Sequence, residues 1–249
     1  MEPIVSVVIP TFVESELSFS RFKRLIESIQ WQNFSNIQVV VSDHSSDNRV
    51  EDFLKSTSLR FKYVSNRKDL GNSSANTNLG LSIADGEFIQ VMHCDDWYID
   101  RNAISLFVQE LTRLPGVHWG VFAFDHCDEE EDRIFNPIIP SISRSLGNPS
   151  TTFFRQHCTY QVKFDNCLIN INDFDFHQCL LLNFGPPLII REICIRIGMS
   201  NANVAKSLTQ KRVLQEFKYH ENKIELQHGN LIRDYQRRAT INHSQCLEV

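Results

Sequence analysis

The chain has 249 residues, enough for one α/β domain with an appendage, and its 42% hydrophobic and 22% charged residues are typical of a folded globular protein. The formal net charge of −5 argues against non-specific nucleic-acid binding as the main function, because that binding needs a basic face. The seven cysteines contain no C-x-x-C pair. The first residues show no signal-peptide pattern, and no apolar run approaches the roughly 20 residues of a membrane span. We therefore expect a cytoplasmic protein with reduced thiols.

Short apolar runs alternate with helical patterns over the first half of the chain. The predicted strands are Ile4–Ile9, Ile37–Val41, Phe61–Val64, Phe88–Met92 and Trp119–Phe124. Four helices are predicted. The first carries Phe22, Leu25, Ile26 and Ile29, and the second is short and lies near residues 50–54. The third is capped by Asn72 or Ser73 and runs to about Ala84, and the fourth is Asn102–Arg113. This alternation predicts an α/β fold with a doubly wound, mostly parallel sheet flanked by helices.

The second half of the chain is less regular. Asp128–Asp132 (DEEED) is typical of a solvated acidic turn, and a long connection with three prolines, residues 137–149, follows it. The pattern then predicts the strand Ser150–Arg155, the helix Asp173–Leu182 and the strand Leu188–Arg196. From about Ala202 onward it predicts two helical stretches separated near Tyr219–Asn222, which form a C-terminal helical extension.

Three polar segments follow predicted strands directly. They are Pro10-Thr11-Phe12, the stretch from Asp43 to Asp47, and His93-Cys94-Asp95-Asp96. Ligands of doubly wound sheets bind just outside the carboxyl ends of the strands, so we expect these segments to line one crevice.

The adjacent carboxylates Asp95 and Asp96 have two interpretations. Burying neighbouring carboxylates is costly unless a cation or hydrogen bonds compensate, and a divalent cation shared with a diphosphate is one such arrangement. The alternative is a structural turn in which one of the two caps the next helix.

Each of the other candidate site residues has a functional and a structural interpretation. Asp43 could accept an N–H from a nucleobase or cap a turn, and Thr11 could touch a base or satisfy a backbone group. Asn76 and Asn78 could contact a ribose or phosphate, or cap a helix. Asp173 could be a general base or a helix N-cap.

Four segments in this order resemble family-2 glycosyltransferases of the GT-A fold. They are VSVVIPTF, VVVSDHSSDN, NTNLGLSIADGEFIQVMHCDDW and NDFDF, and together they span about residues 4–200. The resemblance implies an inverting, metal-dependent enzyme that uses Mn²⁺ or Mg²⁺ and a nucleotide-diphosphate sugar, most often a UDP-sugar. It also implies a glycan or lipid-linked glycan acceptor, as in the biosynthesis of cell-surface polysaccharide or lipopolysaccharide.

The resemblance assigns roles to the candidate residues. Pro10 and Thr11 match the segment that lies along the nucleoside, Asp43 matches the aspartate that reads the base, and Asn78 matches the asparagine of an N-x-G element. Asn76 is placed with this nucleotide-sugar group because it sits early in the same predicted helix, where it could contact a ribose or phosphate.

The remaining matches concern the metal and the chemistry. Asp95 matches the last carboxylate of the family's D-x-D, which binds the metal and the diphosphate, and Asp96 follows it as is usual. His93 stands where the first aspartate is usual, and a neutral imidazole can bind Mn²⁺ or a phosphate. Asp173 matches the catalytic base, although Asn172 replaces the glutamate that usually precedes it.

The resemblance also divides the chain. Residues 1–200 are predicted to form the GT-A-like catalytic domain, with its nucleotide-binding half at about 1–100 and its acceptor half at about 101–200. Residues 201–249 are the helical extension, whose basic residues (Lys211, Arg212, Lys218, Arg233, Arg237 and Arg238) favour packing on the domain or on a second copy of the chain, or else a peripheral contact with the anionic inner face of a membrane.

Two other functions compete with glycosyl transfer. The histidine at position 93 is also compatible with a protein that binds a nucleotide sugar without transferring it. A nucleotidyltransferase would need a phosphate-binding loop rich in glycine and lysine after the first strand, and PTFVESELSFS at that position does not match one.

Overall fold

The computed structural model describes residues 5–142, 145–199 and 209–245, with side chains as far as residue 227. The chain divides into two compact units, Met1–Ser207 and Leu208–Val249.

The first unit is built around one sheet. Its strand order is β3-β2-β1-β4-β8-β6-β9-β5, with β7 paired to β6. The strands are β1 (Val5–Thr11), β2 (Ile37–Asp43), β3 (Arg60–Ser65), β4 (Phe88–Val91), β5 (Trp97–Tyr98), β6 (Trp119–Asp128), β7 (Arg133–Ile134), β8 (Thr152–Arg155) and β9 (Leu188–Met199).

Helices connect these strands and cover the sheet. Those of the first unit are α1 (Glu16–Gln30), α2 (Arg49–Lys55), α3 (Ser73–Ile83), α4 (Ala103–Arg113) and α5 (Asn172–Phe184). Ser15 and Ser18 form a capping box at the start of α1, and the Asn72 side chain accepts a hydrogen bond from the backbone N–H of Ala75 at the start of α3.

The four strands nearest the N-terminus are mutually parallel. β1 pairs with β2 on one side and β4 on the other, and β2 pairs with β3. Because helices cover both faces, β1 and β2 are buried almost throughout and consist largely of β-branched residues, as predicted for such strands. The predicted α/β architecture is therefore confirmed.

The other half of the sheet mixes strand directions. β8 is antiparallel to both β4 and β6, whereas β9 runs parallel to β6. Both β6 and β9 extend several residues beyond their predicted ends, since register shifts near Phe122–Phe124 let the two long strands stay paired.

One sequence-based expectation was confirmed only in part, since Glu130, Glu131 and Asp132 of the acidic turn are exposed but Glu129 is not, and a second expectation was wrong. The DEEED turn is not simply solvated, because the Glu129 side chain is mostly buried and pairs with Arg21 and Arg24. The second unit contains one continuous helix, α6 (Gln210–Gln245), and not two helices separated near residues 219–222. That stretch, YHEN, contains neither proline nor glycine, so nothing in it interrupts the helical hydrogen bonds.

Among the described residues, no helix combines the length and the apolar character needed to cross a membrane.

Candidate nucleotide-sugar site

The three predicted polar segments meet at one edge of the sheet. Thr11 at the end of β1 is in register with Asp43 at the end of β2, and the backbone N–H of Met92 after β4 donates to the carbonyl of Val8 over 2.8 Å. The backbone N–H of His44 donates to the Thr11 carbonyl over 2.9 Å, and the Cys94 thiol lies 3.5 Å from the Pro10 carbonyl. The structure thus brings the three strand ends together as predicted.

His93, Asp95 and Asp96 form a cluster after β4. One potential ligand atom from each lies within 4.8 Å of the others. Two carboxylates and an imidazole are a donor set that suits Mn²⁺, and the carboxylates also suit Mg²⁺. The residues therefore fit the divalent cation that the sequence predicts, with Asp96 as an additional candidate ligand beside Asp95 and His93.

Asp96 is the most buried member of this cluster, with 1% of its surface exposed. Its Oδ1 accepts a hydrogen bond from the backbone N–H of Gly198, and its Oδ2 accepts one from Asn148 Nδ2, both over 3.1 Å. Burial, and then the Asp95 carboxylate, raise the pKa of Asp96 well above its ordinary value. Hydrogen bonds from Gly198, Asn148 and the Ser150 side chain lower the pKa of Asp96 less than burial and Asp95 raise it, and a bound cation would add further compensation.

The His93 side chain is the third member of the cluster. Burial lowers its pKa below the ordinary value, against an opposing effect of Asp95, so the imidazole is neutral near pH 7 and its ring nitrogen is available as a ligand. The backbone N–H of His93 donates to Ser150 Oγ over 2.9 Å, which ties this turn to the short 3₁₀ helix before β8.

Asp43 is fully buried at the end of β2. Its Oδ1 accepts hydrogen bonds from the Ser45 backbone N–H and hydroxyl at 2.8 and 2.5 Å, and its Oδ2 accepts one from the Tyr63 hydroxyl at 2.9 Å. A carboxylate offers about four acceptor positions, so these bonds leave about one for a ligand. The turn-cap interpretation therefore describes most of what Asp43 does, and its contact with a base stays a prediction.

His44 is a polar group that the sequence-based site assignment missed. It is 5% exposed, its Nε2 is buried, and that atom has no hydrogen-bond partner within the described residues. Burial lowers its pKa, so the ring is neutral near pH 7. The signal that could have identified it is its position directly after Asp43 at a strand end.

Asn76 and Asn78 are engaged within the protein. Asn76 is buried and joins β1 to β2, because its Nδ2 donates to the carbonyls of Ser42 and Thr11 and its Oδ1 accepts from the Ser42 hydroxyl. Asn78 donates to the Phe164 carbonyl and accepts from the Phe164 backbone N–H. These contacts support the strand ends, and nucleotide contacts of either side chain stay predictions.

Pro10 and Thr11 lie at the end of β1, where the chain leaves the sheet. Thr11 is 1% exposed, and its hydroxyl donates to the Ile9 carbonyl over 3.2 Å and lies 3.5 Å from the Cys94 thiol. This residue therefore links β1 to the cluster turn.

Asp173 lies in the first turn of α5 and is half-buried. Its Oδ1 accepts a hydrogen bond from the Phe174 backbone N–H over 2.7 Å, and Asn172 Nδ2 donates to Ser74 Oγ over 3.2 Å. The start of α5 is thereby attached to the start of α3. Burial raises the pKa of the Asp173 carboxyl above its ordinary value, which strengthens it as a base.

Two solved structures illustrate the similar architecture. S. aureus TarS 1-349 in complex with UDP-GlcNAc superposes with a TM-score of 0.68 at 18% identity, over 84% of this chain and 62% of that one. The mannosyltransferase PcManGT from Pyrobaculum calidifontis, in complex with GDP-Man and Mn²⁺, gives 0.63 at 16% identity, over 90% and 64%. At such identities the likeness establishes the fold, which is GT-A-like.

Sequence comparison identifies the family. The profile of glycosyl transferase family 2 matches residues 6–175, which is more than half of the chain, and the protein belongs to that family. A curated relative, GalNAc(5)-diNAcBac-PP-undecaprenol beta-1,3-glucosyltransferase of Campylobacter jejuni, is 31% identical over 111 residues. That alignment spans 43% of this chain and only 34% of the relative.

Proposed function

We propose that the protein transfers a sugar from a UDP-sugar donor to an acceptor hydroxyl with inversion at the anomeric carbon. The observation that carries the proposal is the cluster of His93, Asp95 and Asp96 at the edge where β1, β2 and β4 end. The match to glycosyl transferase family 2 and the UDP-GlcNAc complex of TarS support the reaction class and the donor class.

Each part of the donor has a candidate partner in this chain. The nucleoside lies along Pro10 and Thr11, with its base toward Asp43 and His44. Asp95 and His93, with Asp96 beside them, would hold Mn²⁺ or Mg²⁺ for the diphosphate. When bound, the cation supplies positive charge that stabilises the departing UDP.

Asp173 is the proposed general base. Its carboxylate takes the proton of the acceptor hydroxyl while that oxygen forms a bond to the anomeric carbon. The bond between this carbon and the UDP oxygen breaks on the opposite face, and its electron pair leaves with UDP. The raised pKa of Asp173 suits the role because proton transfer is most effective when the base has a pKa near the working pH.

The proposed acceptor is a lipid-linked glycan used to make a cell-surface polysaccharide. Support comes from the Campylobacter jejuni relative, whose name describes glucosyl transfer to an undecaprenol-linked glycan. We accordingly propose that the protein works at the cytoplasmic side of a membrane that holds its acceptor.

Calorimetric titration of UDP, with and without Mn²⁺, tests the donor site. Wild type should bind UDP with Mn²⁺ and much more weakly without it, and Asp95→Ala should lose the metal-dependent part. Asp52→Ala, which removes an exposed carboxylate of α2, is the matched control and should bind as wild type does. Equal binding with and without Mn²⁺ by wild type would contradict the metal role.

Asp173→Asn tests the chemistry separately from binding. The variant should retain UDP affinity and lose sugar transfer and donor hydrolysis, because an amide cannot accept the acceptor proton. Donors are screened by UDP release with a panel of UDP-sugars. A variant that loses UDP binding together with turnover would contradict the assignment of Asp173 as base, and wild-type turnover in the variant would do so as well.

A further inference from the structure

Helix α1 reaches the turn that carries the metal cluster through Arg24. Nη2 of Arg24 donates to the backbone carbonyl of Asp95 over 2.9 Å. Its guanidinium also stacks on the Trp97 ring, 3.5 Å from the ring centre. One side chain therefore contacts the backbone of a candidate ligand and the aromatic residue that ends the same turn.

Glu129 holds Arg24 in this place. Its Oε1 pairs with Arg24 Nη2, and its Oε2 pairs with Arg21 on the same face of α1. The side chains of Arg21 and Glu129 are only 12% and 13% exposed, so solvent screens their pair much less than a surface ion pair, whereas Arg24, at 34% exposure, is partly screened. Glu129 lies just after β6, so this carboxylate connects β6, α1 and the cluster turn.

The contact with the Asp95 carbonyl has a geometric consequence. Holding that carbonyl restrains the peptide plane between Asp95 and Asp96, which narrows the range of directions in which the two side chains can leave the backbone. The N–H of Gly198 holds the Asp96 carboxylate itself. Contacts from α1 and β9 thus hold the Asp95 backbone and the Asp96 carboxylate, as a preorganised metal site requires.

We infer that Arg24 and Glu129 are positioning residues for the metal and diphosphate site, with Glu129 acting through Arg24. The inference rests on the proposed function, since it concerns the cation that Asp95 and His93 would hold. It adds to that proposal two residues that the cluster itself does not include.

Electrostatics alone predicts a different effect of substitution at Arg24. Arg24 is a cation near a cation site, so removal of its charge would tighten metal binding, and a substitution that keeps the charge would change little. Positioning predicts weaker binding in both cases. Arg24→Lys separates the two explanations because an ammonium keeps the charge but cannot reproduce the planar guanidinium that stacks on Trp97 and donates to two oxygens.

The experiment is a Mn²⁺ titration in the presence of UDP, followed by electron paramagnetic resonance of free Mn²⁺. It compares wild type, Arg24→Lys, Glu129→Gln and the control Glu131→Gln, which removes one negative charge from an exposed position of the same turn. Arg24→Lys and Glu129→Gln should each weaken Mn²⁺ binding about 10- to 100-fold, as outer-shell substitutions do in other metal sites. Glu131→Gln should stay near the wild-type affinity.

Thermal unfolding of each variant without metal shows whether the fold is intact. If Arg24→Lys does not fold, the comparison of Mn²⁺ affinity between Glu129→Gln and Glu131→Gln tests the positioning role. Wild-type Mn²⁺ affinity in Arg24→Lys or in Glu129→Gln would overturn the positioning role and leave the proposed function standing. Absence of Mn²⁺ binding by wild type would overturn the positioning role together with the metal site. In that case the UDP titration without metal measures whether the donor site binds the nucleotide.

Discussion

Gly198 lies on β9 where that strand passes the Asp95–Asp96 turn, and its replacement by alanine is a direct test of how closely the turn is held. A Cβ at this position would lie 2.3 Å from the Asp95 carbonyl oxygen and 3.3 Å from Glu129 Oε1. Real Cβ atoms essentially never come closer than 3.0 Å to another heavy atom, so the two backbones must separate by about 0.7 Å.

This displacement sets the expected magnitudes. Forcing one extra methyl group into a packed contact between two backbone segments costs about 1–3 kcal/mol of unfolding free energy. A displacement approaching 1 Å at a catalytic constellation lowers turnover by on the order of 100-fold. Since the shift also disturbs the N–H that Gly198 donates to Asp96, we expect weaker Mn²⁺-dependent UDP binding as well.

In Gly198→Ala, urea unfolding measures the loss of stability, UDP release measures turnover, and calorimetric UDP titration with Mn²⁺ measures binding. Gly116→Ala is the matched control, because a Cβ there meets nothing within 4 Å, and it should change the unfolding free energy by less than about 0.5 kcal/mol. A Gly198→Ala protein with the stability and the Mn²⁺-dependent UDP affinity of wild type would refute the reasoning.

Two further predictions concern buried polar groups. Burial lowers the pKa of His177 from 6.5 to about 4, so the unfolded state binds more protons between these values and stability is lost as the pH falls through this window. Wild type should lose about 2 kcal/mol more than His177→Gln between about pH 7 and about pH 5 in urea unfolding, and parallel pH profiles would contradict this. Asp125→Ala should lower the unfolding free energy by about 3 kcal/mol, because Arg196 loses its bidentate partner in a mostly buried pair. Glu110→Ala, at a pair whose Arg113 side chain is 62% exposed, should cost less than about 1 kcal/mol. Equal costs in thermal unfolding would show that burial does not determine how much these pairs stabilise the fold.

Local sequence signals were sufficient for the elements of the parallel half of the sheet. β1 and β2 are buried on both faces, and such strands require near-continuous apolar, β-branched sequence that is easy to recognise. The helix that Asn72 caps was also predicted, since an N-cap depends on residues within one turn.

Segments whose structure depends on residues distant in the chain gave no local sequence signal. β5 has only two residues and exists because Trp97 and Tyr98 pair with Arg196 and Ile195, about a hundred residues later. The DEEED stretch looks like a solvated turn until α1 places Arg21 and Arg24 beside Glu129. Neither partner can be inferred from the residues that surround these segments in the chain.

The candidate site divides in the same way. The sequence by itself determined the family resemblance, the polar segments at the strand ends and the cluster of His93, Asp95 and Asp96, because ligand types and spacing within one short segment are local properties. Only the tertiary structure decided that Asp43 has most of its acceptor positions occupied and that His44 Nε2 has no hydrogen-bond partner in the described part of the chain. It also decided that Arg24, which pairs with Glu129, donates to the Asp95 carbonyl. The physical reason is that burial and hydrogen-bond saturation depend on atoms from several elements, and those atoms come together only when the sheet and its helices pack.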